Sequence, residues 1–155
     1  MDCYFCGVYK KSVKKGISSF SIPELGILFR TTVDDKDEVL IDFSSLLLLS
    51  EFAMLNPLLF KNVSFLDLKG SNAKVLEYIN SEKNIPRKVK PFKSTFISFC
   101  KELNNMGMKI YSTKVPKSKN LALSGINTLK VNKELMLLLE NMRLEVSNDR
   151  SKSRG

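Results

Sequence analysis

Four consecutive leucines at positions 46–49 constrain this chain more than any other stretch. A helix that carries them is apolar on every side, and such a helix is stable only when other elements cover it all round. The wider segment 43–60 is the most apolar in the chain, yet Ser44, Ser45, Ser50, Glu51, Asn56 and Pro57 interrupt it. It therefore reads as a buried helix and not as a membrane span. Ser44 or Ser45 is placed to cap it, and Asn56-Pro57 to end it near residue 55. The chain must supply a sheet or further helices to enclose this element. At 155 residues it is long enough to do so within one domain.

The sheet is sought on both sides of that helix. Residues 2–10 are rich in aromatic and β-branched types and read as a strand, ended by the polar turn 11–16. Residues 17–22 and 25–33 read as one long strand broken at Pro23 or as two short ones, with Pro23 suggesting an edge or a bulge. After the acidic turn 34–38, residues 39–43 are expected to form another strand, which completes an antiparallel meander. Residues 62–68 read as a further strand, Lys69-Gly70 as a turn, and Ser71 or Asn72 as the start of a short helix to about 81. The connection 84–91 is basic and punctuated by Pro86 and Pro91. Phe92, Phe96, Phe99, Cys100, Leu103 and Met106 then recur at helical spacing, and Gly107 is placed to terminate that helix. Residues 108–115 read as a strand and 116–120 as a basic loop, while 121–129 fit no single element. Asn132 is expected to cap a last helix carrying Leu135, Leu138, Leu139, Met142 and Val146. The order is βββαβααβα, an α/β chain with a mixed sheet flanked by helices. One domain over 1–147 is expected, with a disordered basic tail at 148–155.

Charge bounds the partners. The chain carries 25 Lys and Arg against 16 Asp and Glu, a formal net charge of +9. The excess is concentrated: ten basic residues against two acids leave segment 82–119 at +8, whereas segment 34–51 stands at −5. A one-sided basic field attracts polyanions through steering and counterion release; a Lys-rich solvated surface is the plainer alternative. The three cysteines, Cys3, Cys6 and Cys100, make no disulfide framework and point to a reducing, cytoplasmic compartment. The start Met-Asp-Cys-Tyr-Phe-Cys has an acid where a secretory signal would be cationic.

Several chemistries are closed off. With no histidine, Ser-His and Cys-His nucleophilic sites cannot be assembled. Cys3-x-x-Cys6 has the spacing of half a zinc site, but residues three apart on a strand face opposite ways, so buried structural cysteines are expected and no metal is assigned. No phosphate-cradling glycine motif occurs. Gly70-Ser71-Asn72 reads as a turn and cap, although its N–H groups could meet one phosphate.

The order of elements resembles the ribonuclease H fold. Tyr4-Phe5-Cys6-Gly7 is similar to that family's first-strand motif, an aromatic pair followed by Asp-Gly. Ser44 to Leu49 stands where the family's helix begins Ala-Glu-Leu. In the second half, VLEYIN, IPRKVKPF, CKEL and KIYSTKVPKSKN resemble a region in which a strand ends in a Val-Pro-basic turn ahead of an Asn and the last catalytic acid. That family's chemistry uses about four carboxylates on two Mg²⁺ ions. By the resemblance, those positions fall on Cys6, Ser45, near Ser71 and near Ser124, none of them acidic. Asp67, Asp42 and Glu51 lie close enough in sequence for a shifted alignment to restore one or two.

The expectation is therefore a non-catalytic nucleic-acid-binding domain that needs no cofactor, binds RNA or an RNA–DNA hybrid, and serves as a possible subunit of a nucleoprotein complex. Its phosphate contacts are sought at Arg87, Lys88, Lys90, Lys93, Lys114, Lys117 and Lys119. In the resembled family the loop 86–91 approaches the helix that grips the DNA strand of a hybrid. Tyr78, Phe92 and Tyr111 are near enough to stack on bases, with Phe92 better placed in its helix's apolar stripe. Two other readings stay open: a protein–protein adaptor or homodimer through the helix at 132–146, where Met136, Leu137 and Leu144 lie off the main stripe, and a metal-dependent ribonuclease with relocated acids.

Overall fold

Alternation along the first strand decides where it sits. In the computed structural model, which describes residues 1–123, β1 (Asp2–Lys10) turns Cys3 and Phe5 into the main core and Cys6 into a second, smaller cluster with Ile17 and Ala122. Both faces are thus covered, as befits a central strand. β1 pairs antiparallel with β2 (Lys15–Ile22), and β2 with β3 (Ile27–Val33), in a meander. A single 3₁₀ turn at Pro23–Leu25 and Gly26 at φ +64° join the last two strands. The stretch 17–33 is therefore two strands of a hairpin, and Pro23 sits in its turn.

The expected strand at 39–43 is a helix. Asp37 Oδ1 accepts the Val39 N–H at 3.0 Å, and α1 (Glu38–Leu55) begins there, with its cap seven or eight residues before the expected Ser44 or Ser45. The alternation of Val39, Ile41 and Phe43 mimics a strand, but tertiary cover overrides that local preference. Ser44 instead donates to the Leu40 carbonyl at 2.8 Å, one turn back. The end of the helix is as expected: Pro57 follows Asn56, whose side chain donates to the Phe52 carbonyl at 2.8 Å.

β4 (Phe65–Gly70) starts three residues later than expected, because Pro57–Phe60 forms a 3₁₀ turn that carries the chain back to the sheet. α2 (Ala73–Asn80) is capped by Asn72, whose Oδ1 accepts from Lys74 N–H at 3.0 Å and Val75 N–H at 3.3 Å. α3 (Lys90–Asn105) has Pro91 in its first turn, so the basic connection is shorter than expected. Gly107 adopts φ +88°, and Met108 N–H bonds the Leu103 carbonyl at 3.1 Å, the glycine-terminated helix end that the sequence indicates. β5 (Lys109–Lys114) completes the sheet, followed by a 3₁₀ turn at Lys117–Lys119. Residues 121–123 begin a helical turn. The ambiguous remainder to 129, Ser124, the helix expected from Asn132 and the tail 148–155 lie outside the described residues.

The sheet order is β3-β2-β1-β4-β5, with β1, β4 and β5 mutually parallel. Cys6 accordingly lies on the central strand, and β4 is that strand's parallel neighbour. α1 lies across β1 and β2 and packs against α2 and α3. Its leucine run is enclosed: Leu46 and Leu49 are fully buried, and Leu47 and Leu48 pack on the core from the flanks. Phe92 and Phe96 of α3 meet Phe43 edge-on, with ring centroids 5.9 and 6.4 Å away. Phe92 is thus a packing residue. No helix among the described residues is long and apolar enough to cross a membrane.

One contact fixes the depth at which α1 seats. A Cβ on Gly7 would stand 2.3 Å from the Asp42 backbone N and 2.4 Å from the Ile41 carbonyl carbon. Only a glycine lets the helix backbone come this close to the strand. Gly7→Ala is therefore expected to cost about 3 kcal/mol or more, since neither backbone can yield without unseating α1. Gly107→Ala, with nothing within 4 Å of its Cβ, should lose only about 1 kcal/mol from its positive φ. Urea unfolding of the two variants measures the difference.

Candidate functional site

β1 and β4 pair only through Asp2↔Asp67, Cys3↔Leu68 and Tyr4↔Lys69. Beyond that the two strands diverge, and the end of the sheet where parallel strands finish opens into a cleft. Asn120 closes its floor. Its side-chain N–H groups donate to the Phe5 carbonyl and to Ser71 Oγ, each at 3.0 Å, and its Oδ1 accepts from Ala122 N–H at 3.0 Å. Phe5 packs its ring tip where a Cβ on Gly70 would stand, 2.3 Å away, so β4 can end only in glycine here.

Above this floor is a cavity of about 250 Å³ lined by Cys6, Gly7 and Val8 from β1, Glu38 and Asp42 from α1, Ser71 and Asn72 ahead of α2, then Lys117 and Leu123. Three of the four positions singled out by resemblance come together at this end. Cys6 and Ser71 line the cavity, and Ser45 donates its hydroxyl to the Cys6 carbonyl at 2.6 Å. The fourth, Ser124, lies outside the described residues. Of the acids that a shifted alignment could recruit, Asp42 alone reaches the cavity. Asp67 accepts from Thr113 Oγ1 at 2.7 Å on the sheet face, and Glu51 is exposed further along α1.

Asp42 is the residue that sequence reading undervalued. It is 2% exposed, its Oδ1 accepts the Gly7 N–H at 2.8 Å, and its Oδ2 is buried without a partner. Burial pushes its carboxyl up to about 7, and Glu38 one turn away adds to the rise, against the Gly7 N–H and the Lys117 charge. The one available signal was its i+4 relation to Glu38, which a strand reading of 39–43 conceals.

The described residues at this cleft do not fit a two-metal carboxylate site. Among the described residues no group of three or more His, Cys, Asp or Glu could hold a metal ion. Burial pushes the Cys6 thiol up to about 12, so it is a protonated, reluctant ligand. Cys3 is likewise buried and pushed up to about 12, on the opposite face of the strand, so the Cys3-x-x-Cys6 pair cannot share an ion.

Of the seven cations expected to contact phosphate, Lys117 lines the cavity. They are not equally available. Lys88 pairs with Asp37 at the α1 cap and holds that carboxyl below its usual value. Lys93 donates to the Ser81 carbonyl. Arg87, Lys90, Lys114, Lys117 and Lys119 are exposed. Tyr78 is partly buried in the core, whereas Tyr111 is exposed and meets Phe65 edge-on.

No family model matches the chain, and no curated protein matches its sequence. Solved structures do match in shape. An RNase H1 isolated from compost by a metagenomic approach superposes with a TM-score of 0.63 at 9% identity, over 89% of this chain and 96% of that one. The chain has a ribonuclease H-like fold. RNase H1 from the halophilic archaeon Halobacterium salinarum gives 0.57 at 13% identity, over 80% and 91% of the two chains. The N-terminal RNase H domain of Rv2228c from Mycobacterium tuberculosis gives 0.59 at 7%, over 78% and 90%. At these identities the ribonuclease H-like likeness is one of fold.

Asp42 makes folding depend on pH. Its carboxyl titrates near 4 when unfolded and near 7 when folded, so the folded state keeps a proton that the unfolded state releases. The contribution of Asp42 to stability is then fully present below about pH 4, declines as pH rises towards 7, and levels off above. The decline is on the order of 4 kcal/mol at most. Asp42→Asn cannot ionise and should flatten that slope. Denaturant midpoints of parent and variant between pH 5 and 8 test it, and parallel slopes would show that Asp42 is not the titrating group.

Proposed function

We propose that this domain binds nucleic acid through the basic end of its sheet and does not cleave it. The observation that carries the reading is one of placement. Cys6, Ser45 and Ser71 meet at the cleft where β1 and β4 part, and Lys117 lines the cavity there. Two-metal phosphodiester chemistry needs converging carboxylates, and those that the described residues bring to this cleft, Asp42 and Glu38, share one helix face with a lysine opposite. What remains is a cationic rim around a polar cleft, which suits phosphate contact without a reaction. An RNase H1 of like fold has been solved in complex with an RNA/DNA hybrid, with a TM-score of 0.57 at 10% identity, which makes a hybrid the first substrate class to test.

The acidic cap residue Asp37 tempers the rim at Lys88, so Arg87 and Lys90 carry more of that loop's field than Lys88. Affinity for a labelled hybrid should fall steeply as salt rises. Replacing Arg87, Lys88 and Lys90 together with Ala should reduce the slope of log affinity against log salt by roughly 1.5 to 2.5, and weaken different sequences alike. Fluorescence anisotropy with thermal melts as the folding control reads this. In the same tubes, Mg²⁺ or Mn²⁺ should leave the hybrid uncut. Metal-dependent cleavage abolished by Asp42→Asn would establish the relocated-acid ribonuclease instead. A parent that fails to bind at low salt would remove the nucleic-acid reading and leave the adaptor one.

A further inference from the structure

The cavity beside Asp42 holds chemistry that phosphate binding does not use. Asp42 Oδ2 is a buried oxygen with no partner, an acceptor in the ionised carboxyl that prevails above about pH 7, and an unmatched buried polar atom costs on the order of 1 to 3 kcal/mol. Oδ1 is already committed to Gly7 N–H, so a ligand would meet Oδ2 alone. Ser71 Oγ accepts from Asn120 and keeps its own proton to donate. Facing Asp42 are the Gly7 N–H and Cys6 thiol of β1, Glu38 on its own helix, and Lys117 on the turn after β5.

These groups select against simple ions. A small cation would meet Lys117, and a lone anion would meet Glu38 and leave the Oδ2 lone pairs unmatched. A neutral group that donates an N–H and is tethered to a phosphate satisfies both sides. At about 250 Å³ the cavity is smaller than the roughly 300–1,000 Å³ of drug-sized sites, which suits one nucleoside and not a run of them. We propose that it receives a single unstacked nucleobase bearing an exocyclic amino group, which donates to Asp42 Oδ2 while Lys117 meets the adjoining phosphate. Carboxylates accept from the cytosine amino group in just this sense, and uracil presents a carbonyl at the same place. The inference rests on the nucleic-acid reading above and adds base preference to it.

Cytidine and uridine RNA octamers carry the same phosphate charge, so they separate the two ideas. At pH 8, where the Asp42 carboxyl is ionised, the parent should bind the cytidine octamer about tenfold more tightly at matched salt. The Gly7 amide resonance should move with the cytidine octamer and not with the uridine one, a readout that needs no variant. In Asp42→Asn an amide N–H₂ replaces Oδ2, so the preference should reverse towards uridine. Lys117→Ala should weaken both octamers alike. Equal affinity for the two octamers with a normal salt slope would overturn the base pocket and leave nucleic-acid binding standing. Binding to neither octamer nor hybrid would remove both.

Discussion

The approach of α1 to β1 at Gly7 is the contact on which the rest of the architecture depends. The missing Cβ lets the helix backbone lie on the strand. The Gly7 N–H is then met by Asp42 Oδ1, and the Ile41 carbonyl by Ser18 Oγ at 2.9 Å. Ser45 adds a third polar tie to the Cys6 carbonyl. Polar groups this deep must be paired or they cost more than they contribute, so the three ties fix the helix in one position and one rotation. Given that rotation, Phe43, Leu46 and Leu49 fall into the core, each worth roughly 1.5 to 3 kcal/mol of burial. α3 then finds Phe43 as its anchor.

The same contact explains why the cleft lies where it does. Once Gly7 N–H is taken by Asp42, that part of β1 turns from β4 to α1, and the two parallel strands part after Tyr4↔Lys69. The gap exposes the Phe5 carbonyl, and Asn120 meets it from the far end of the described chain. Strand divergence, a glycine and one asparagine make a polar cavity at the end of the sheet. The cost is borne by Asp42, whose second oxygen has no partner.

α1 begins beside the cleft, and its partly positive N-terminus adds to the charge of Lys117 there. The acidic residues 34–38 sit at the same end, because an acid is the natural cap for α1. Asp37 serves as that cap and as the partner of Lys88, so the charge of Lys88 is offset there, while Lys117 lines the cavity.

Features governed by neighbours in the chain were legible in the sequence. The leucine run required an enclosed helix, Asn56-Pro57 ended it, Gly107 closed α3, and the parity of β1 sent Cys3 and Cys6 to opposite faces. Where two local signals disagreed, reading failed: Val39, Ile41 and Phe43 alternate like a strand, although Asp37 caps a helix there. The clustering of lysines was visible as a count, but not that Lys88 would be spent on Asp37. Asp42 and Gly7 lie 35 residues apart, and Phe5 and Asn120 lie 115 apart. No periodicity links such pairs. Capping, turn and parity rules act over a few bonds and are written in order along the chain. The cavity depends on which backbone groups remain unpaired once the sheet has formed, and that is decided only when distant strands and helices compete for the same N–H.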